Sequence, residues 1–243
     1  MGDKNLNELL KWSIENMTPA DGTSDTPSAP RTNLTPELIA SLMGGPSDAD
    51  LMISSMQAVR SSDPEITLES KLTAFDNLEQ LIESLDNANL LSKLGLWTPL
   101  LECLADAEDD IRLMAAWCIG TAVQNNEPCQ ERLVAIGGVE KLVQMAVGLR
   151  LSPATGEENE SEAKEDKEGE NETKETKAVR RKAIYALSSA VRNYQPAMNV
   201  CAAELRRQGH TDQVGGDDKI IVATDMDAVD AVINGLRDNV PSA

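Results

Sequence analysis

One stretch near the middle of the chain, 111–126, alternates apolar and polar residues with the period of an α-helix. Its apolar side chains recur at intervals of three and four residues, which places them on one helical face. They are Ile111, Met114, Ala115, Cys118, Ile119, Ala122 and Val123. Two aspartates, Asp109 and Asp110, precede the stretch, where negative charge favours the positive end of a helix dipole. The pattern predicts a helix with one wide buried face.

The same pattern occurs again further along the chain. Residues 179–194 align with 111–126 without a gap, at an offset of 68 residues, and a looser copy occupies 71–89. When the polar segment 152–177 is set aside, the period is about 42 residues, which is typical of armadillo and HEAT units. The chain is therefore predicted to be all-α, a short armadillo-repeat α-solenoid.

The polar segment 152–177 consists mostly of Glu, Lys, Thr, Asn and Gly and contains no large apolar side chain. Such a composition cannot bury enough surface to offset the entropy of the chain. We expect a disordered acidic insertion, which is either regulatory or simply unstructured.

The pattern divides the chain into four parts. These are a flexible N-terminal segment (1–33), a helical cap with the first repeats (34–151), the insertion (152–177), and the last repeat with a C-terminal helix (178–240). The N-terminal segment begins with a short amphipathic helix candidate, 5–17, and continues as a linker rich in Pro, Thr and Ser. This helix either packs on the body or offers its apolar face to a partner.

The acidic composition narrows the choice of partners and compartment. Forty-one acidic and 22 basic residues give a formal charge of -19, which repels phosphate backbones and argues against nucleic acid. The sequence contains no apolar run long enough to span a membrane, and its four cysteines form no Cys-x-x-Cys motif. We expect a cytosolic protein, and a monomer because there is no heptad run.

Little in the sequence suggests catalysis or a cofactor. The single histidine, His210, lies in a polar loop without a nucleophile and an orienting acid that can be assigned to it. There is no phosphate-binding glycine loop, and the insertion lacks the pattern of a calcium loop. We expect neither an enzyme nor a metal or cofactor site.

Binding is the better-supported class of function, because stacked helix triplets present their long helices on a concave face. Residues at the ends of those helices recur between repeats, which favours a recognition surface, although an Asn at such a position also serves as a helix cap. The candidates are Asp86, Asn87, Ala88, Asn89, Asn125, Asn126, Arg192, Asn193 and Tyr194.

Five sequence blocks together resemble a known family. They are LLKWSIENM, GGPSDADLM, KLTAFDNLEQLIESLDNAN, AAWCIGTAVQNN and YALSSAVRNYQPAM. In combination they closely resemble the fungal cytosolic nucleotide exchange factors of the Fes type, which are akin to the animal protein that binds heat-shock protein 70. The resemblance extends over nearly the whole chain outside the insertion.

The resemblance implies a mechanism and two sets of site residues. It implies a co-chaperone that grips the nucleotide-binding domain of the 70-kDa heat-shock chaperone, releases ADP and so causes client release. It also implies that Ala88 lies in close contact at the grip, and that the N-terminal segment competes for the chaperone's substrate site. The client-mimicking residues would be Leu9, Leu10, Trp12 and Ile14.

Two other classes of protein remain as alternatives. An armadillo adaptor for extended peptides would use a ladder of Trp with Asn four residues later. Thr121 follows Trp117 at that spacing and Ser189 follows Tyr185, so the ladder is absent. An enzyme is the least favoured class.

Overall fold

The computed structural model describes residues 45–152, 174–216 and 219–241. The predicted client-mimicking residues Leu9, Leu10, Trp12 and Ile14, the linker and most of the acidic insertion lie outside this part of the chain. All the helices described below belong to one compact unit that begins at Asp48.

The described chain is helical, as the periodicity predicts, and its extended pairing is limited to one isolated bridge between Leu149 and Lys174. A short 3₁₀ turn, Cys103–Ala105, continues the helix Trp97–Glu102. The helices are α1 Asp48–Val59, α2 Leu68–Ile82, α3 Leu85–Lys93, α4 Trp97–Glu102, α5 Asp109–Val123, α6 Glu127–Ala135, α7 Gly138–Val147, α8 Lys177–Val191, α9 Gln195–Arg207, α10 Thr211–Val214 and α11 Met226–Asp238.

These helices form three successive triplets. In each triplet one helix packs on the long helix that follows it (α1 on α2, α4 on α5, α7 on α8), and a third helix comes after the long one. The long helices α2, α5 and α8 have 15 residues each and pack side by side in that order. The third helices α3, α6 and α9 also contact one another in series. This arrangement confirms the predicted α-solenoid.

The long helices α5 and α8 form the closest helix pair. Gly120 lies at their crossing, where a Cβ atom would come within 2.5 Å of the Tyr185 ring and 3.0 Å of the Ala186 Cα. The residues around this point on both helices are small, including Ala116, Ala122, Ala183 and Ala190, and all are buried. Small residues let the two backbones approach each other, so the distance between these helices depends on the absence of a side chain at Gly120.

The folded chain resumes earlier than the composition predicts. The predicted insertion includes residues 174–177, but Lys174 pairs with Leu149, Glu175 is buried and Lys177 begins α8. The backbone N–H of Glu175 donates to the carbonyl of Gly148 at 2.9 Å. The end of the predicted insertion is therefore part of the helical body.

A buried ion pair explains this correction. The Arg112 guanidinium donates to both carboxylate oxygens of Glu175, at 2.9 and 2.8 Å, and the two side chains are 1% and 0% exposed. Arg112 also donates to the carbonyls of Asp106 and Ala107. The Thr176 N–H donates to Glu175. A bidentate pair with its remaining donors satisfied can be buried without an isolated charge.

Arg112→Met should destabilise the protein by about 3–5 kcal/mol, because it leaves the Glu175 carboxylate buried without its counterion. The double variant Arg112→Met with Glu175→Met should recover a large part of this loss, since no uncompensated charge remains. Urea unfolding followed by circular dichroism measures both. A double variant as unstable as the single one would contradict a charge-pair origin of the effect.

A second carboxylate, on α9, gives the fold a pH dependence. Glu204 accepts hydrogen bonds from Arg207, Gln208 and Gln144, the last of these on α7. The hydrogen bonds from Arg207, opposed by burial, lower the pKa of Glu204 to about 2. A carboxylate whose pKa is lowered on folding stabilises the fold at pH values above its ordinary pKa. This contribution to the free energy of unfolding is lost as the pH falls towards 2.

Between pH 5 and pH 2.5, the free energy of unfolding should therefore fall less in the variant Glu204→Gln than in the wild-type protein. At pH 5 we expect the wild-type protein to be the more stable of the two, because only its carboxylate is charged and bonded to Arg207. At pH 2.5 the two proteins should be closer in stability. Denaturant midpoints at several pH values check this, and parallel curves for the two proteins would contradict it.

Candidate partner-binding surface

The long helices α5 and α8 bring a cation and two aromatic rings together. The Lys182 Nζ of α8 lies 3.4 Å from the centroid of the Trp117 ring on α5 and 5.6 Å from that of Tyr185. All three side chains are half-buried. A cation over an aromatic face is attracted by the ring quadrupole, most strongly when it is partly desolvated. Lys182 thus joins the two long helices through an electrostatic contact.

Helix α2 extends this cluster with a carboxylate. The Thr121 hydroxyl on α5 donates to the Glu79 carboxylate at 2.7 Å. Burial lowers the pKa of Lys182, and the negative charge of Glu79 partly opposes that effect. We call Glu79, Trp117, Thr121, Lys182 and Tyr185 the long-helix surface. Its half-exposed aromatic rings are of the kind enriched in protein interfaces. The Glu79 carboxylate is itself buried, with the residue 7% exposed, and it holds Thr121 through their hydrogen bond.

The predicted Asn positions have a backbone explanation. Asn125 and Asn193 follow α5 and α8 with φ angles of 50° and 58°, in the left-handed region. Asn tolerates that region better than other residues with a side chain. Their recurrence therefore reflects the turn that ends each long helix. Both side chains are nevertheless exposed and available to a partner.

Asn126 and Tyr194, the residues after these turns, are less exposed than expected for residues that contact a partner. The Asn126 amide donates to the Cys129 Sγ at 3.2 Å and is buried. Tyr194 is half-buried, and burial together with the charges of Glu131 and Glu127 raises its pKa. Of these two residues, Tyr194 is the one that faces acidic neighbours and reaches the surface.

The first-repeat candidates lie at a different place from the one predicted. Asp86, Asn87, Ala88 and Asn89 belong to the first turns of α3 and not to the end of α2. Ala88 is 1% exposed, and its carbonyl accepts a hydrogen bond from the Cys129 thiol, so its side chain packs in the core of the free protein. Its predicted contact with a partner stays a prediction. A large side chain there would disrupt the core, because core positions do not tolerate added volume.

Asn87 is also a structural residue. Its amide donates to the Asp48 carboxylate at 2.8 Å and to the Leu81 carbonyl at 3.0 Å, which ties α3 to α1 and α2. Asp86 and Asn89 remain exposed. Together with Asn125, Asn193 and Tyr194 they form what we call the helix-end edge.

Arg192 is held by the body of the protein. Its guanidinium forms an ion pair with Asp230 of α11 and donates to the Ser188 hydroxyl at 3.2 Å. The predicted partner contact would have to compete with this pair. Arg192 therefore lies beside the helix-end edge with its charge already balanced.

The structure describes the surroundings of His210 and of the cysteines. His210 precedes α10, and its backbone N–H donates to the Leu205 carbonyl. Burial raises the pKa of Cys103 and Cys201 to about 12 and that of Cys129 to about 11, so these thiols stay protonated.

The described part of the chain offers neither a membrane-spanning helix nor a cluster of metal ligands. No helix in it has the length and apolar character needed to cross a membrane. The same residues contain no group of three or more His, Cys, Asp or Glu side chains placed to hold a metal ion.

Comparison with known proteins decides between the classes. The family model of the nucleotide exchange factor Fes1 matches residues 6–91, and the HEAT repeat model matches 96–125. An Hsp70 nucleotide exchange factor FES1 of Gibberella zeae is 53% identical over 100% of both chains. One from Neurospora crassa is 47% identical over 99% of this chain and 100% of its own, and one from Coccidioides immitis is 46% identical over 97% and 98%. The chain belongs to the Fes1 family.

The Fes1 match and the HEAT match follow one another along the helical body, on either side of the end of α3. The Fes1 model ends within α3, and the HEAT match covers α4 and α5 up to the left-handed Asn125. The HEAT unit is therefore the helix pair whose second member carries Trp117 and Thr121. The helical-repeat prediction and the family resemblance are both confirmed.

Sequence reasoning missed the long-helix surface of this Fes1 protein. In the sequence analysis Trp117 and Tyr185 are named only to show that the Trp and Asn ladder of a peptide adaptor is absent. The usable signal was that both aromatic residues occupy the same position in aligned helices, with Lys182 three residues before the second one. Neighbouring repeats place such positions side by side, so the two aromatic residues could have been predicted to share one surface.

Asn125→Ala should cost about 1 kcal/mol of stability, because Ala disfavours the left-handed conformation, whereas Asn125→Gly should change it by less than about 0.5 kcal/mol. If the Asn side chain also contacts a partner, both variants should weaken partner binding equally. Thermal unfolding measures the conformational role and a binding titration measures the contact with a partner. The same pair of variants at Asn193 repeats the test in the next repeat. Equal loss of stability in both Asn125 variants would contradict the conformational explanation.

Proposed function

We propose that this protein is a nucleotide exchange factor for a 70-kDa heat-shock chaperone. The single observation that carries the proposal is the 53% identity, over the full length of both chains, with a protein named as an Hsp70 nucleotide exchange factor. The proposed activity is binding to the chaperone's nucleotide-binding domain, which promotes ADP release and, after ATP enters, release of the client.

The long-helix surface and the exposed helix-end edge are the proposed contacts. Half-exposed Trp and Tyr side chains provide large apolar area with little loss of side-chain entropy, and such residues dominate the energy of many interfaces. The net charge of -19 favours a basic patch on the partner and speeds its encounter with the protein. Lys182 provides a positive charge within the contact, and the negative charge of the buried Glu79 favours its protonated form.

The mechanism requires no catalytic group on this chain. A protein that binds the open, nucleotide-free form of the chaperone more tightly than the closed form shifts the population towards the open form. Thermodynamic linkage then lowers the affinity for nucleotide by the same factor by which nucleotide lowers the affinity for this protein. A rigid helical surface suits this role, because a deformable surface would bind both forms equally and shift nothing.

The N-terminal segment has a separate proposed role. Leu9, Leu10, Trp12 and Ile14 would occupy the chaperone's substrate site as a mimic of a client peptide. Their apolar spacing in the sequence and the family membership of the chain support this role. We also propose that the protein acts in the cytosol and as a monomer.

The test is the dissociation rate of a fluorescent ADP analogue from a cytosolic 70-kDa chaperone, with excess unlabelled ATP as chase. The wild-type protein should accelerate dissociation with saturation, and deletion of residues 1–33 should leave the acceleration in place. No acceleration with several cytosolic chaperones would overturn the exchange function and favour a peptide adaptor.

Lys182→Glu should raise the concentration needed for half-maximal acceleration at least tenfold, a change of about 1.4 kcal/mol in binding. It removes the contact between the cation and the rings and puts a second carboxylate near Glu79. Lys141→Glu on α7 makes the same change of charge outside the long-helix surface and is the matched control. Equal effects of both substitutions would show that only net charge matters and would exclude the long-helix surface as the contact.

A further inference from the structure

A short segment between α10 and α11 is built like the edge strand of a sheet. It lies in 219–223, and the exposures of Ile220, Ile221, Val222 and Ala223 are 77%, 6%, 49% and 1%. Exposure that alternates with a period of two indicates an extended backbone, because successive side chains of a strand point to opposite faces. One face is packed on the core, and the other presents two β-branched apolar side chains to solvent.

One edge of this segment is held by three hydrogen bonds to the body. The Gln195 amide donates to the Ile221 carbonyl at 2.8 Å, and its oxygen accepts from the Ala223 N–H at 2.8 Å. The Ala223 carbonyl accepts from the N–H of Asn193 at 3.0 Å. The Gln195 side chain therefore takes the place of a neighbouring strand, and it holds residues 221 and 223 against the start of α9.

The opposite edge is open. The backbone N–H and C=O of Ile220 and the N–H of Val222 form no hydrogen bond with any described residue, while the Val222 carbonyl accepts from Asp225. In an extended chain these groups point away from the edge that Gln195 occupies. An open edge flanked by exposed apolar side chains is a template for a further strand.

The charge around the segment indicates which kind of peptide would pair with it. The sequence from Thr211 to Asp227 carries five aspartates and one lysine. Of these aspartates, Asp212, Asp225 and Asp227 are exposed. An extended peptide with basic residues at its ends would be attracted, and apolar side chains at alternate positions would pack beside Ile220 and Val222 as cross-strand pairs.

We propose that the open edge of residues 219–223 binds an extended, basic-flanked peptide segment with alternating apolar side chains by β-strand addition. The peptide's backbone hydrogen-bonds to Ile220 and to the N–H of Val222, and its apolar side chains cover the two exposed β-branched residues. This is a peptide-binding activity at the end of the last repeat, formed by residues outside the long-helix surface. It does not depend on the exchange function.

The experiment titrates the full-length protein against a fluorescein-labelled heptapeptide, Arg-Ile-Thr-Val-Thr-Val-Lys, and follows fluorescence anisotropy. We expect saturable binding that Ile220→Lys weakens at least tenfold. Val222→Pro should do the same, because it removes the outward N–H while its fixed φ and its effect on the preceding residue suit an extended chain. Leu85→Lys, at a side chain 57% exposed on α3, is the matched control and should bind like the wild type.

Peptides methylated at alternate backbone amides test the hydrogen-bonding pattern. Methylation of the amides that face the edge should abolish binding, whereas methylation of the intervening amides should leave it unchanged. Equal binding of both methylated peptides, an unaffected Val222→Pro variant, or an equal loss in Leu85→Lys would each overturn the proposal. Absence of saturable binding by the wild-type protein would overturn it as well.

Two further measurements distinguish peptide binding at this edge from misfolding of the variants and from self-association. Ile220→Lys and Val222→Pro should retain the thermal midpoint of the wild type within a few degrees and accelerate ADP dissociation as the wild type does. The peptide titration contains no chaperone. A wild-type protein that fails to accelerate ADP dissociation would therefore contradict the exchange function and not the peptide proposal. Sedimentation that shows a dimer lost in Ile220→Lys would assign the edge to a second copy of this chain and overturn the peptide proposal.

Discussion

The close packing of α5 on α8 is the constraint on which the rest of the structure depends. The two helices approach through Gly120 and its small neighbours, and each end of the contact is fixed by buried polar groups. At one end the Arg112 guanidinium holds Glu175 just before α8 begins. At the other end the amide of Gln130, on the helix α6 that follows α5, donates to the carbonyls of Ser189, Ala190 and Arg192 at 3.1 Å. Sliding one helix along the other would break both contacts, so the register of the repeats is fixed.

This register makes the long-helix surface possible. Trp117 and Lys182 belong to different repeats and meet only because α5 and α8 pack in one register. The acid that completes the cluster, Glu79, comes from the preceding repeat. Each of the three long helices that carry these side chains packs its own buried residues in the core, so the surface depends on the packing of all three repeats.

Much of the fold could be predicted from sequence, because periodicity reports buried faces directly. The repeat of about 42 residues, the helix 111–126 and the final helix near Asp225 all correspond to observed helices. The errors occurred where distant contacts override local composition. Glu175 lies in a polar run that reads as unstructured, and it is buried because of an arginine 63 residues earlier in the chain. Asn125 and Asn193 suggested recognition, whereas their positive φ angles explain their recurrence. The position of Ala88 within α3 could not be predicted, because the looser pattern of the first repeat does not show where α3 begins.

The paired ends of the polar segment also bear on how this chain tolerates change. Leu149 and Lys174 lie side by side, and the Gly148 carbonyl bonds to Glu175, so the chain leaves and re-enters the body at one point. When the ends of a loop are already held together, doubling its length costs only about 0.6 kcal/mol of closure entropy. We therefore expect insertions and deletions between these ends to change the free energy of unfolding by only about this amount. Natural selection can lengthen, shorten or recompose this part of the gene while the helical repeats on either side stay unchanged.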